Sequence, residues 1–320
     1  MAPTPITAQA ESALRLILAG EAEAGFEQYK ASLIAEQAHV PVGLHCRFLE
    51  QAGRVADAVR LRSLGVEQGA DVGLRAQCDF LTTDAASAAA EYEALFAAGA
   101  INARMIHAYV KALAHLGRTQ QLAALMAPGE LFQQVMVRSP DPERIDDSLA
   151  AAVDRLLLEL EDEAEEQEAV QSVRSMRVVH KVELVDHPVA KAIVQEISAH
   201  ISQYLERWRS SQHPFARFVP ERYRLGVWGL ISRGEGYTVP HIHPRGWATG
   251  VFYPRAVPGP GGDLLVHFPG EAGNESGLGQ VRVTPKAGLL VLMPSFYKHS
   301  TEPLEGDGLR TSVAFDVMAC

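Results

Sequence analysis

A chain of 320 residues is long enough for two domains and a sizeable core, and 47% hydrophobic with 21% charged residues is the composition of a globular protein, not a disordered one. The net charge of −10 argues against nucleic acid as the main partner, since a phosphate backbone needs a basic face to displace its counterions. Cys46, Cys78 and Cys320 are odd in number and form no C-x-x-C pattern, so they suggest neither a disulfide framework nor a thiolate zinc site.

The first 25 residues lack a basic segment followed by an apolar stretch, and no segment approaches the roughly 18 apolar residues of a membrane span. A cytoplasmic protein with no membrane partner is expected. Residues 8 to 130 are rich in Ala, Leu and Glu, with apolar residues at helical spacing. Leu16, Leu49, Leu81 and Leu113 recur at a period of 32 or 33, each followed four residues later by a small residue: Gly20, Gly53, Ala85 and Gly117. That period is the signature of stacked helical hairpins, each burying its apolar face against its neighbours. It resembles degenerate tetratricopeptide repeats and predicts an all-α domain over residues 1–135. The alternative is an Ala-rich helical bundle.

Residues 136–185 read as an acidic helical linker, broken at Ser139-Pro140-Asp141-Pro142 and carrying the charged run Glu161 to Glu168. Pro188 then opens a predicted amphipathic helix over 188–209. From about residue 222 the texture changes to short runs rich in Val, Leu, Phe and Tyr: RYRLGVWGLIS, TGVFYP, GDLLVHFP, GQVRVTP, AGLLVLMP and RTSVAFDVM. Gly- and Pro-rich turns separate them, Arg233 to Gly236 among these, so a jelly roll or barrel is expected over 186–320. The fold class is therefore α+β, a helical-repeat domain followed by a β domain.

The chemistry lies in the second half. His241 and His243, two apart on an extended segment, put two imidazoles on one face within reach of one metal ion. His299 ends a different strand that closure of a jelly roll returns to the same mouth. Three imidazoles can occupy one face of an octahedral ion and leave positions for co-substrate and dioxygen. Arg310 and Ser312 share a face of the last strand, and a planar guanidinium suits bidentate binding of a carboxylate. Trp247, in the loop PRGWATG, is the candidate for substrate contact, whereas Trp228 and His267 read as packing and structural residues.

Taken in order, HIHPRGWATGVFYP, the glycine pair of GGDLLV, PKAGLLVLMPSFYKHSTEP and LRTSVAFDV resemble the 2-oxoglutarate/Fe(II)-dependent dioxygenases, over residues 186 to 320. The resemblance implies a double-stranded β-helix, His241 and His299 as iron ligands, and Arg310 with Ser312 on the distal carboxylate of 2-oxoglutarate, with Tyr253 a further hydroxyl. It also implies Fe(II), 2-oxoglutarate and dioxygen as cofactors and hydroxylation as the reaction. Most of that superfamily has an acidic residue where this chain has His243, so His243 either replaces the carboxylate as a ligand or points aside. The expected substrate is a peptide or protein side chain, which the helical repeats would hold as a partner surface, or a small amino-acid-like molecule. Two rival readings are a non-oxygenase metal cupin, which has no need of Arg310, and a repeat scaffold with an inactive oxygenase domain.

Overall fold

The computed structural model describes residues 24, 28, 85–97, 99, 101–137, 148–167, 172–243, 246–256, 261–268, 279–306 and 308–320. The chain divides into two compact units, residues 1–100 and 101–320. In the first, the described element is helix α1 (Ala85–Ala97), where Tyr92 and Phe96, four apart, stack at 6.3 Å between ring centroids. Most of the expected repeat array lies outside the described residues.

The second unit opens with helices α2 (Ala103–His115) and α3 (Thr119–Met126), joined by a turn at Gly117, whose φ of +64° is left-handed and therefore suits glycine. Asn102 caps α2 by accepting from the amide of Met105. A short helix α4 (Pro128–Leu131) leads into strand β1 (Gln133–Met136). The stretch read from sequence as a linker supplies integral elements instead: helix α5 (Leu149–Glu159), capped by Ser148, and strands β2 (Glu165–Gln167) and β3 (Val173–Val179). Its acidic run is partly tied down, since Glu161 grips Arg233 through both carboxylate oxygens at 2.9 and 2.7 Å. That guanidinium holds the Glu161 carboxyl below its usual range.

Helix α6 (Pro188–Arg209) forms as its sequence dictates. Pro188 occupies the first turn, the His187 side chain accepts from the Val189 amide, and Ala190, Ile193, Ile197, Ile201, Tyr204 and Trp208 make one buried stripe at spacings of three and four. Strands β4 (Tyr223–Thr238), β5 (Ala248–Arg255), β6 (Leu264–His267), β7 (Gln280–Val283), β8 (Leu289–Pro294), β9 (Lys298–Thr301) and β10 (Leu309–Ala319) follow. They build two antiparallel sheets, one of seven strands in the order β1-β8-β5-β10-β4-β3-β2 and one of three in the order β7-β6-β9. No described helix is long and apolar enough to cross a membrane.

The expected turn at Arg233 to Gly236 is a bend inside a continuing strand. Pairing of β4 with β3 shifts register there, Gly234 takes φ +60°, and the Ser232 hydroxyl donates to the Gly236 carbonyl at 3.1 Å. The bend lets β4 reach past the large sheet, where the Thr238 amide donates to the Thr301 hydroxyl of β9 at 2.8 Å.

Helices cover one face of the seven-stranded sheet. Leu157 of α5 lies so close to Gly229 of β4 that a Cβ there would come within 2.4 Å of it. Asp154 of α5 is buried and doubly held: the Thr311 hydroxyl donates to it at 2.7 Å, and Arg255 donates from Nε and Nη2 at 2.9 and 2.6 Å. Thr311, Val313, Phe315 and Val317 of β10 therefore turn toward the helices, and by alternation Arg310, Ser312, Ala314 and Asp316 turn the other way. In register beside them on β4 stand Ser232, Leu230, Trp228 and Gly226.

Candidate metal centre and carboxylate cradle

His241 and His299 face each other across an antiparallel bridge, with the amide of each donating to the carbonyl of the other at 2.9 Å. The His243 amide donates to the Ser295 carbonyl at 3.0 Å. These backbone bonds bring the three rings to centroid separations of 4.4 Å (His241 and His299) and 5.0 Å (each of these with His243). One nitrogen from each ring lies within 4.8 Å of the other two.

The outward nitrogens decide which atoms face inward. His241 Nδ1 is 2.7 Å from the Val239 carbonyl, and His299 Nδ1 is 2.9 Å from the Tyr297 carbonyl. A carbonyl only accepts, so each Nδ1 carries the ring proton and each Nε2 presents a lone pair. His243 Nδ1 lies 2.7 Å from Asp316 Oδ1, and its Nε2 is 3.2 Å from His241 Nε2. Two imidazole acceptors at that distance repel each other unless a cation or a proton lies between them. The arrangement thus fits a divalent metal ion bound through Nε2 atoms.

Burial reinforces this preference. It is the first cause that pushes His241 down to about 4 and His299 well below its ordinary value, with the neighbouring imidazoles adding to it. Both rings are neutral at pH 7, the state in which imidazole binds metal. Because the unfolded chain takes up protons near pH 6.5 that the folded chain refuses, this contribution is fully present above that pH and is lost as pH falls through 6.5 toward 4. The metal-stripped protein should lose on the order of 3 kcal/mol from His241 alone over that interval, measured by chemical denaturation at stepped pH.

His243 is sandwiched between the Trp228 indole (5.9 Å, 16° between planes) and the His299 ring (5.0 Å, 12°). The indole at the histidines is thus Trp228, expected as simple packing, while Trp247, expected at the substrate, packs edge-on against Trp208 of α6 at 5.5 Å. His267 stands on the opposite face of the small sheet from His299, with Nε2 2.8 Å from the Ser300 hydroxyl. Asp316 escaped the sequence reading. Its signal was the alternation Arg310, Ser312, Ala314, Asp316, which puts the carboxylate on the same face as the guanidinium.

Arg310 is buried, 3% exposed, and its Nη1 donates to the Gly262 carbonyl at 2.7 Å. Gly262 has φ +78°, and a Cβ there would lie 2.6 Å from Leu304 and 3.1 Å from Arg310 Nη1, so the cradle needs glycine. Among the described residues no carboxylate pairs with this guanidinium, and burial lowers its pKa. A buried cation with five donors and, among the described residues, a single carbonyl partner calls for an anion. Tyr253 is fully buried nearby, its hydroxyl pushed up to about 12 by burial while Arg310 acts in the opposite sense, so it is a neutral donor at pH 7. Ser312, also buried, is the next residue along the same face of β10.

Residues 226–316 match the family described as "Putative 2OG-Fe(II) oxygenase". Among curated proteins, none matches this chain. Similar solved structures include a prolyl-4-hydroxylase of Pseudomonas putida, at 16% identity over 62% of this chain and 98% of that one, with a TM-score of 0.44. A prolyl hydroxylase of Trichoplax adhaerens, in complex with a hypoxia inducible factor oxygen degradation domain peptide fragment, is similar at 14% identity over 63% and 91%, with a TM-score of 0.42. The viral collagen prolyl hydroxylase of Paramecium Bursaria Chlorella virus-1 follows at 12% identity, 60% and 98%, and a TM-score of 0.39. The family match and the histidine cluster make residues 226–316 the oxygenase segment of a 2-oxoglutarate-dependent enzyme that uses Fe(II), 2-oxoglutarate and dioxygen.

Proposed function

We propose that the protein is a hydroxylase whose two sheets form a double-stranded β-helix, with Fe(II) held by His241, His243 and His299 and the distal carboxylate of 2-oxoglutarate held by Arg310. The observation that carries this reading is the pairing of two unmet demands in one fold: three converging imidazoles and a buried guanidinium with no acidic partner among the described residues. A non-oxygenase cupin would satisfy the first and leave the second unexplained.

In this reading the Nδ1–H groups of His241 and His299 keep donating to their backbone carbonyls and fix the rings for coordination. Arg310 binds the co-substrate carboxylate through two N–H groups, and Ser312 and Tyr253 add hydroxyl donors. Because both Arg310 and Tyr253 are buried, that ion pair forms out of water, where it is strong and where misplacement of the co-substrate is costly. Bound Fe(II) supplies the redox chemistry by which dioxygen converts 2-oxoglutarate to succinate and carbon dioxide and a substrate C–H bond to an alcohol. The substrate is a peptide or protein side chain or a small amino-acid-like compound.

The test is succinate formation by the protein reconstituted anaerobically with Fe(II), then given 2-oxoglutarate and air. Slow turnover without added substrate is expected. Absence of turnover together with absence of calorimetric 2-oxoglutarate binding would return the protein to the cupin or scaffold readings.

A further inference from the structure

We propose that Asp316 is a positioning residue of the metal centre, fixing His243 as the third ligand through Nε2 and lending a negative charge to an otherwise neutral ligand set. The inference rests on the metal reading above and goes beyond it, since that reading assigns Asp316 no part.

Three observations carry it. Asp316 Oδ1 lies 2.7 Å from His243 Nδ1, with the two side chains 16% and 12% exposed. The contact is short, yet its angle falls short of a hydrogen bond's, and that oxygen has no other hydrogen-bond partner among the described residues. Third, strand alternation puts Asp316 on the same face of β10 as Arg310 and Ser312, away from the face packed on the helices.

The chemistry follows from charge and geometry. A carboxylate only accepts, so a hydrogen bond closed across this 2.7 Å contact would hold the ring proton on Nδ1 and leave Nε2 free to coordinate. Three neutral imidazoles leave a divalent ion with its whole charge, whereas a facial site with a carboxylate ligand cancels part of it. Asp316 supplies that cancellation from one ring away. The two backbone carbonyls behind His241 and His299 orient their rings without adding a formal charge, so among the three outward partners Asp316 alone is anionic.

The test uses the full chain and Co(II), whose visible spectrum reports its ligand set, with calorimetry for affinity. Asp316→Ala should weaken Co(II) binding by about 10- to 100-fold, the range for loss of a ligand's outer partner, and shift the spectrum. Asp316→Asn, nearly the same shape and still able to accept from Nδ1, should fold as the parent does and fall between the two. In a His243→Ala background, Asp316→Ala should cause no further loss, which a merely structural role would not predict. Parent-like affinity and spectrum in both Asp316 variants, with binding weakened by His243→Ala, would overturn the proposal and leave the metal centre standing. A His243→Ala spectrum identical to the parent's would overturn it by showing His243 turned aside onto Asp316. Co(II) binding undiminished in His299→Ala would instead remove the metal reading itself.

Discussion

Replacing Arg310 by alanine should reduce 2-oxoglutarate affinity by about 10²- to 10³-fold, the cost of leaving a buried carboxylate without its charged partner. Fe(II) affinity should be unchanged, because the guanidinium bonds to Gly262 at the other end of the β10 face from Asp316. Stability separates this from a folding defect. A buried cation with one carbonyl partner among the described residues is a burden on the protein when no co-substrate is bound, so the variant should melt at or above the parent's temperature. Arg310→Lys should recover part of the affinity, since an ammonium keeps the charge and loses the bidentate fork. Calorimetric titration with 2-oxoglutarate, beside thermal melts, checks all three, and parent-like affinity in Arg310→Ala would remove the clamp.

His299→Ala should lower metal affinity by more than about 10²-fold, beyond the range caused by changes behind a ligand, and bring succinate formation to background. His299 is the most enclosed of the three imidazoles, and both ends of its local geometry are set by backbone: the bridge to His241 and the Nδ1 bond to Tyr297. Alanine preserves that bridge, because its amide and carbonyl are untouched, so the strand stays and only the ligand is lost. Metal content after dialysis against Co(II), with succinate measured in parallel, gives both readings. Retained metal would place the centre elsewhere.

The strand half of the chain was legible because period-two patterning, aromatic and β-branched residues and Gly/Pro punctuation all agree there, and β5 to β8 and β10 appear at the expected runs. The histidine cluster was legible for the same reason: H-x-H on extended backbone can only point to one side. Asp316 was hidden because LRTSVAFDV is buried on both faces, which blurs the alternation a half-exposed strand would display. Residues 136–185, read as an acidic helical linker, do contain a helix, but its Ala150, Val153, Leu156 and Leu157 are buried, and the acidic composition masked the strand that follows and pairs with β4. Asp154 shows the limit sharply: a charge in a helix reads as solvent-facing until Thr311 and Arg255, far away in sequence, arrive as its partners. Trp228 and Trp247 exchanged their expected surroundings because a loop position promises exposure, while α6 offered Trp247 an aromatic neighbour.

The two-sidedness of β10 has a consequence for how this enzyme can change. One side of the strand anchors the helices through Thr311, Val313, Phe315 and Val317, and the other carries Arg310, Ser312 and Asp316. Loss or gain of a single residue between 310 and 316 would invert every side chain beyond it, turning an anion binder or a carboxylate into the helix layer and a phenylalanine into the reaction chamber. Point substitutions can tune either side independently, but length changes here abolish both at once, so natural variants should differ in this strand by replacement and never by insertion.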